Sequence, residues 1–456
     1  MVTGALHDPE AVAAILERAL ANVSGAEAEA VYSAKDHALT RFANSRIHQN
    51  VAEHDAQLRV RVVSDGRTGV ATTNRLDDEG LREVVARAST VCARAARNPQ
   101  QPPLPEDGVR PHATLGWRDA TAATDPEGRA AQARAVIAVA DAHNLEASGA
   151  FSTEAETLAI ANTRGLRASE SSTEARLVTV LTAQDGSSGY AQATSPDVAA
   201  VDGDAVGAEA ADKAARSAGA GDLEPGEYPV VLEEYAVAAI LEYLSWIGFS
   251  ALAVQEGRSF MELGRQVMGE NVDIWDDGPD PIGLPSTVDY EGVAKRRVDV
   301  VTKGVATALV HDSATAQRAG TVSTGHGLPA PNVFGPLAWN LFMAPGAVPR
   351  EELVGRLDRG LWVTRFHYVN VVHAKRAILT GMTKDGTFLV ENGRIVRPVR
   401  NFRFTQSIPE AFSRIAAASN STRLVAAEYS GISARAPALL IDRFAFTGAT
   451  AAEEAA

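Results

Sequence analysis

The chain has 456 residues, too many for one ordinary core, and its 45% hydrophobic and 22% charged residues are those of a globular protein. A net charge of −14 argues against a general nucleic-acid binder and against an anionic membrane surface as partner. The single cysteine, Cys92, excludes an intrachain disulfide framework and a thiolate metal cluster, and fits a cytoplasmic setting.

In chain order, the N-terminus shows no basic region ahead of an apolar core, and Asp8-Pro9 reads as the cap and first turn of a helix. EAEAVYSAK and ALTRFANSRIHQN read as strands. In DAQLRVRVVSDGRTGVATTN, alternating Leu58, Val60 and Val62 run into Asp65-Gly66, a hairpin signal. LDDEGLREVVARASTVCARAARN is an amphipathic helix, with Cys92 as a buried thiol on it. A Pro-rich loop, a second helix from Asp125, a run of antiparallel strands over 149–193 and an Ala-rich helix over 206–217 follow. SAGAGDLEPGEYP, 217–229, is the expected boundary. Beyond it, RRVDVVTKGVATALVHD reads as two strands about a Lys-Gly turn. TFLVENGRIVRPV reads as a hairpin about Asn392-Gly393, IPEAFSRIAAA as a short helix and ALLIDRFAFTG as a final strand. The expected class is α+β. An N-terminal α/β domain with a mixed sheet and flanking helices covers 1–222. A β-rich C-terminal domain with a long buried helix at its start covers 223–448, and 449–456 is a disordered tail.

That opening helix, YAVAAILEYLSWIGFSALAV over 235–254, is long enough to span a bilayer. Glu242 near its middle would be costly there, and no basic cluster marks an inside end, so it reads as a buried core helix. Catalytic signatures are missing. There is no HExxH, HExxxH, GxSxG, Walker A loop or strand-linked GxGxxG. His311, His326, His367 and His373 are scattered, with no pair at the i, i+4 spacing of a helical zinc site. STGHG at 323–327 is a Gly-rich loop able to approach a ligand closely. WDDG at 275–278 and DYEG at 289–292 place acids beside glycine, which suits a cation or an ordinary turn.

The order of motifs resembles one family. LTRFANSRIHQNVAEHDAQLRVRVVSDGRTGVATTNRLDDEGLREVV is similar to the opening of the TldD/PmbA (TldD/TldE) family, modulators of DNA gyrase and zinc metalloproteases. The resemblance continues through GRSFMELGRQV, VDIWDDGPDPIGLPSTVDYEGVAKRRVDVVTKGVATALVHDSATAQRAGTVSTGHG and TKDGTFLVENGRIVRPVRNFRF, nearly the whole chain. One departure is His326, where the family implies an amide residue after STG. The family's TldD kind carries HExxxH on the first long helix of the C-terminal domain and a late Cys, which supply the zinc ligands, with the Glu as general base. Two His five apart diverge by about 140° on an ideal α-helix, so a local widening is required to bring them together. Aligned here, those positions hold Glu242, Tyr243 and Ile247, and no Cys follows Cys92. Ile cannot ligate, and Tyr, with a reference pKa of about 10, is a poor base.

The resemblance therefore implies the TldE/PmbA kind. It would be a non-catalytic subunit with no catalytic, cofactor-binding or metal residues and no cofactor of its own. It would form a heterodimer with a zinc-bearing HExxxH subunit and act on peptides or unfolded proteins in the cytoplasm. A homodimer in isolation is open. Asp289, Glu291, Ser323, Thr324, Gly325 and His326 are pocket candidates. Two alternatives stand. One is a stand-alone hydrolase whose Glu242, Asp276, Asp277, Asp289 and Glu291 hold a hard cation. The other is a homodimeric peptide-binding module. A role in maturing a peptide natural product is open as well.

Overall fold

The structure is a computed structural model that describes residues 7–106, 108–427 and 430–449. The first half runs α1 (Pro9–Ala21), β1 (Glu27–Ala43), β2 (Arg46–Ser64), β3 (Arg67–Thr73), α2 (Asp78–Arg94), β4 (Ala113–Gly116), α3 (Asp119–Ala122), α4 (Pro126–Ala142), β5 (Glu146–Asn162), β6 (Arg167–Thr182), β7 (Ser188–Ser195) and α5 (Gly203–Arg216). Each longer helix starts where an aspartate can cap it: Asp8, Asp77, Asp125 and Asp202 accept from the first-turn amides. The strands form one sheet in the order β3-β2-β1-β5-β6-β4, with β7 also on β6. All neighbours are antiparallel except β4 and β6, so the sheet is mixed.

Alternation along β5 sorts the two faces. Ala147, Phe151, Ala159 and Ala161 belong to the cores beneath α1, α2, α4 and α5. Glu154, Glu156 and Leu158 alternate with them and face away from the helices. Helices and strands meet closely. A Cβ on Gly69 would lie 2.1 Å from the Ala88 carbonyl of α2, and one on Gly189 2.1 Å from the Ala210 carbonyl of α5.

The second half runs β8 (Gly226–Leu232), α6 (Glu234–Leu244), a π turn (Ser245–Phe249), α7 (Ala251–Gln255), β9 (Ile274–Asp276), β10 (Val298–Thr302), β11 (Val305–Ala306), α8 (Ser313–Ala319), β12 (Asn340–Met343), β13 (Arg359–His373), β14 (Ile378–Glu391), β15 (Arg394–Pro398), β16 (Phe402–Ser407), α9 (Ile408–Phe412), β17 (Ile415–Ala418), β18 (Arg423–Ala426), β19 (Ser433–Ala436) and β20 (Leu439–Ala449). β13, β8, β20, β16 and β14 pair in that order, and β14 pairs back onto β13, closing a five-stranded ring. β9 to β12 with β18 and β19 form a second sheet, ordered β11-β10-β9-β12-β19-β18. α6 is packed between the two, against β13 and β8 on one side and β18 and β19 on the other.

The expected long helix is interrupted. α6 ends at Leu244, the π turn follows, and Ser250 is extended at φ −71°, ψ 128°. Ser245 Oγ donates to the Ala338 carbonyl at 2.7 Å, and Ser259 Oγ donates to the Gly248 carbonyl at 2.7 Å. These hydroxyls take up carbonyls in the irregular segment. IPEAFSRIAAA also divides: only Ile408–Phe412 is helical, because Ile415–Ala418 pairs with β20. Residues 450–456 of the expected disordered tail lie outside the described residues, and Ala449 is the last residue of β20.

Adding a methyl at Gly189 would force α5 off the sheet. Gly189→Ala is expected to lower unfolding free energy by about 1–3 kcal/mol, read from urea denaturation.

Candidate functional site

Two cavities adjoin the segments that the sequence singles out. The first, of about 330 Å³, has Ala238, Ala239, Glu242 and Tyr243 of α6 on one wall and residues 365–370 of β13 on another. Positions 238, 239, 242 and 243 share one side of a helix, which is why they line it together. Glu242 is half-buried and opens into this cavity, so the carboxylate in the greasy run is neither dry nor isolated. Tyr243 donates its hydroxyl to the Val369 carbonyl. Burial, and then the Glu242 charge, push Tyr243 above its ordinary 10, away from use as a base. Ile247 is 7% exposed and belongs to the main apolar core.

The π turn begins two residues after Tyr243, so the widening that a His-x4-His pair requires is built into this backbone. The donor set is not. Of the three aligned positions Ile247 has no ligand atom and the Tyr243 hydroxyl is tied to a backbone carbonyl, and Cys92 is buried in the other half of the chain, its thiol directed to the Arg67 carbonyl at 3.3 Å. Among the described residues no three His, Cys, Asp or Glu side chains are gathered to hold a metal ion. The residues present do not fit a zinc centre, and the five acids Glu242, Asp276, Asp277, Asp289 and Glu291 do not converge. His367 lies on the cavity wall with its ring 4.1 Å from that of Tyr368. Tyr368 has φ 49° at a bulge in β13, and is 75% exposed. A non-glycine residue held there is locally strained.

The second cavity, of about 350 Å³, lies between the helix-free face of the first sheet and loops of the second half. The loops at 287–295 and 323–327 do meet here, as their glycines suggest. Asp289 Oδ1 accepts from the amides of Glu291 and Val293 at 2.9 and 2.8 Å, and Oδ2 accepts from that of Gly327 at 2.7 Å. Burial and Glu291 push Asp289 up, and these amides oppose the shift. Of the six pocket candidates, Asp289 and His326 line the cavity. The other four serve the loops instead. Glu291 accepts from the Ser313 amide and hydroxyl, and Ser323 and Thr324 bond to the His311 backbone. Gly325 has φ 75° and no room for a Cβ.

His326 is fully buried between Thr324 Oγ1 on Nδ1 and Asp276 Oδ1 on Nε2, both at 2.8 Å. A neutral imidazole offers one donor and one acceptor, which matches these two contacts. Burial pushes His326 down against the pull of Asp276. Asp276 is held below its usual range, its burial outweighed by His326, Lys295 and the Asn340 amide.

The sequence reading missed the acids on the opposite wall, Glu154, Glu156, Glu170 and Glu174. Their signal was alternation: in STEAETLAI the carboxylates fall on the face opposite the alanines. It also missed the ion cluster that joins the two halves. Lys213 of α5 donates to Glu209 at 2.7 Å, to Glu233 at 2.8 Å and to the Tyr190 carbonyl at 3.2 Å. Arg423 donates to Glu209 at 2.9 Å, and Arg350 to Glu234 at 2.8 Å.

Family profiles match along the chain. They are described as PmbA/TldA metallopeptidase domain 1 over 28–92, central domain over 120–218 and C-terminal domain over 225–448. An uncharacterized protein of Methanocaldococcus jannaschii is 29% identical over 191 residues, 40% of this chain and 44% of that protein. A metalloprotease TldD homolog of Buchnera aphidicola is 25% identical over 202 residues, 42% of this chain and 40% of that protein. The chain thus spans less than half the length of these curated relatives. Among solved structures, TldE from Thermococcus kodakarensis superposes with a TM-score of 0.86 at 18% identity, covering 96% of this chain and 100% of that one. A protein described as a candidate modulator of a DNA gyrase from Thermotoga maritima gives 0.84 at 21% identity, with 96% and 100% covered. At these identities the structural likeness shows the fold.

Two measurements test the electrostatics. Burial would raise Glu209, but Lys213 and Arg423 outweigh it and hold it at about 2, below its ordinary 4.5. A folded value below the unfolded one means stability that is present above about pH 4.5 and lost as pH falls towards about 2. Glu209→Gln is expected to flatten that acid limb of the urea stability–pH curve and to lower stability at neutral pH. His326→Leu leaves the Asp276 carboxylate buried without its ring partner, and should cost roughly 3–5 kcal/mol in the same assay.

Proposed function

The chain belongs to the PmbA/TldD metallopeptidase family, and from that premise we propose that it is a TldE-like, non-catalytic subunit of a zinc peptidase complex. One observation carries this reading. The helix on which the resemblance places the family's metal motif runs into a π turn, yet the three positions so aligned hold Glu242, Tyr243 and Ile247. A tyrosine tied to a backbone carbonyl and a core isoleucine cannot replace a base and an imidazole. A helix widened as a His-x4-His pair requires, but without the residues to ligate, suits a subunit that shapes an enclosure and leaves hydrolysis to a partner.

The surroundings of the first cavity support a docked partner. Tyr368, Val371 and Val372 of β13 are exposed, as is Phe334, whose ring packs edge-on against Trp246 of the π turn. The π turn also contacts the segment that follows β13. Exposed apolar side chains such as these, with Tyr368 on the cavity wall, suit an interaction surface. The partner in this reading is an HExxxH subunit that brings the zinc, and the substrate is a peptide or unfolded segment admitted between them.

The purified chain, supplied with zinc, is expected to cleave no peptide alone, and cleavage is expected on mixing with an HExxxH subunit of the family. Zinc-dependent hydrolysis by the chain alone would sink the proposal. Phe334→Asp and Tyr368→Asp are each expected to weaken association with that subunit by about tenfold or more, measured by titration, with unchanged circular dichroism.

A further inference from the structure

The second cavity has polar demands that its own residues leave unmet. Glu154, Glu156 and Glu174 stand on the helix-free sheet face and line it. Lys35 of β1 pairs with Glu154 at 2.5 Å and with Glu156 at 3.0 Å. Glu174 has no hydrogen bond or ion pair among the described residues. The cation that acts on it most, Arg176, is committed to the carbonyls of Ala427 and Ala426 at 3.0 and 3.1 Å. Lys295 also lines the cavity, but its charge acts on Glu170 and Asp276, so Glu154, Glu156 and Glu174 share the one ammonium of Lys35. The electrostatic cost is visible: burial and Glu156 push Glu154 up to about 8, and burial pushes Glu174 up as well.

An independent group points the same way. Asn340 lines the same cavity and is only 6% exposed. Its Nδ2 donates to the Leu284 carbonyl at 2.8 Å, but its Oδ1 has no partner. A buried acceptor without a donor costs free energy. What the carboxylates and the carboxamide lack is a charged donor. Tyr290 and Trp339 line the cavity too, and aromatic walls suit a cation. A space of about 350 Å³ is far larger than a bare ion.

We propose that this cavity binds an organic cation, the alkylammonium or guanidinium group of a ligand, held by Glu174, Glu154 and Asn340. It is separate from the first cavity and does not depend on the subunit role.

The test is calorimetric titration of the full chain at neutral pH. The probes are Nα-acetyl-lysine amide and Nα-acetyl-arginine amide for side-chain cations and glycinamide for a chain terminus. The control is the uncharged Nα,Nε-diacetyl-lysine amide. One charged probe is expected to bind per chain, the control is not, and Glu174→Gln should weaken binding about tenfold. Ser172→Lys gives a second readout. Ser172 is paired with Glu156 and lines the cavity, so a lysine there supplies a tethered ammonium. It is expected to abolish probe binding and raise the unfolding temperature. Equal binding of the control, no binding of any charged probe, displacement of the probes by magnesium or zinc alone, or unchanged binding in Ser172→Lys would each overturn the proposal.

Discussion

One buried ammonium joins the two halves of this protein. Lys213 leaves α5, reaches across the boundary and places its three protons on Glu209, Glu233 and the Tyr190 carbonyl. Its donors are fully used, which is the condition for burying such a charge at tolerable cost. Glu233 is the residue that precedes α6, and its carboxylate accepts from the Trp362 indole at 2.6 Å. The same contact therefore sets the entry of the motif helix and the angle between the halves. Arg350 and Arg423 match Glu234 and the second oxygen of Glu209, so the cluster is close to neutral. Both cavities have walls drawn from the two halves, and each depends on this register being held.

Backbone and chemistry separate along α6. The π turn costs regular hydrogen bonds and is supported by Ser245, Ser259 and a glycine at 248 beneath the Phe260 ring. A helix that merely filled a core would have no use for that irregularity. Here the irregular turn contains Ile247, a side chain of the apolar core. The same segment packs Trp246 edge-on against Phe334 and touches the turn that follows β13.

Local signals were legible where short-range physics decides. Asp65-Gly66, Lys303-Gly304 and Asn392-Gly393 all take positive φ at their hairpins, and Asp8 caps α1. The α+β class followed from such pieces. Elements set by distant partners were not legible. β13 carries Arg365, His367, Asn370 and His373 among its apolar residues, and becomes a strand by pairing with β8 and β14. β17 looks helical until β20 is beside it. At the site, Asp289 and His326 could be singled out because glycines surround them. The acids of β5 and β6 could not, since alternating glutamates on a strand read as a solvated face until a second domain covers them.

The close seating of helices on the first sheet has a wider consequence. The facing surfaces are rich in alanine: Ala133, Ala140 and Ala211 lie in this core, Ala210 and Ala214 sit above Gly189, and Ala88 sits above Gly69. Small side chains have few rotamers to lose and leave little slack to rearrange. This layer cannot adapt by repacking, so it behaves as a fixed plate. Conformational accommodation of different ligands then falls to the other side, where β13 bulges at Tyr368 and loops rather than helices close the space. Sequence variation that tunes recognition has room there and almost none beneath the alanines.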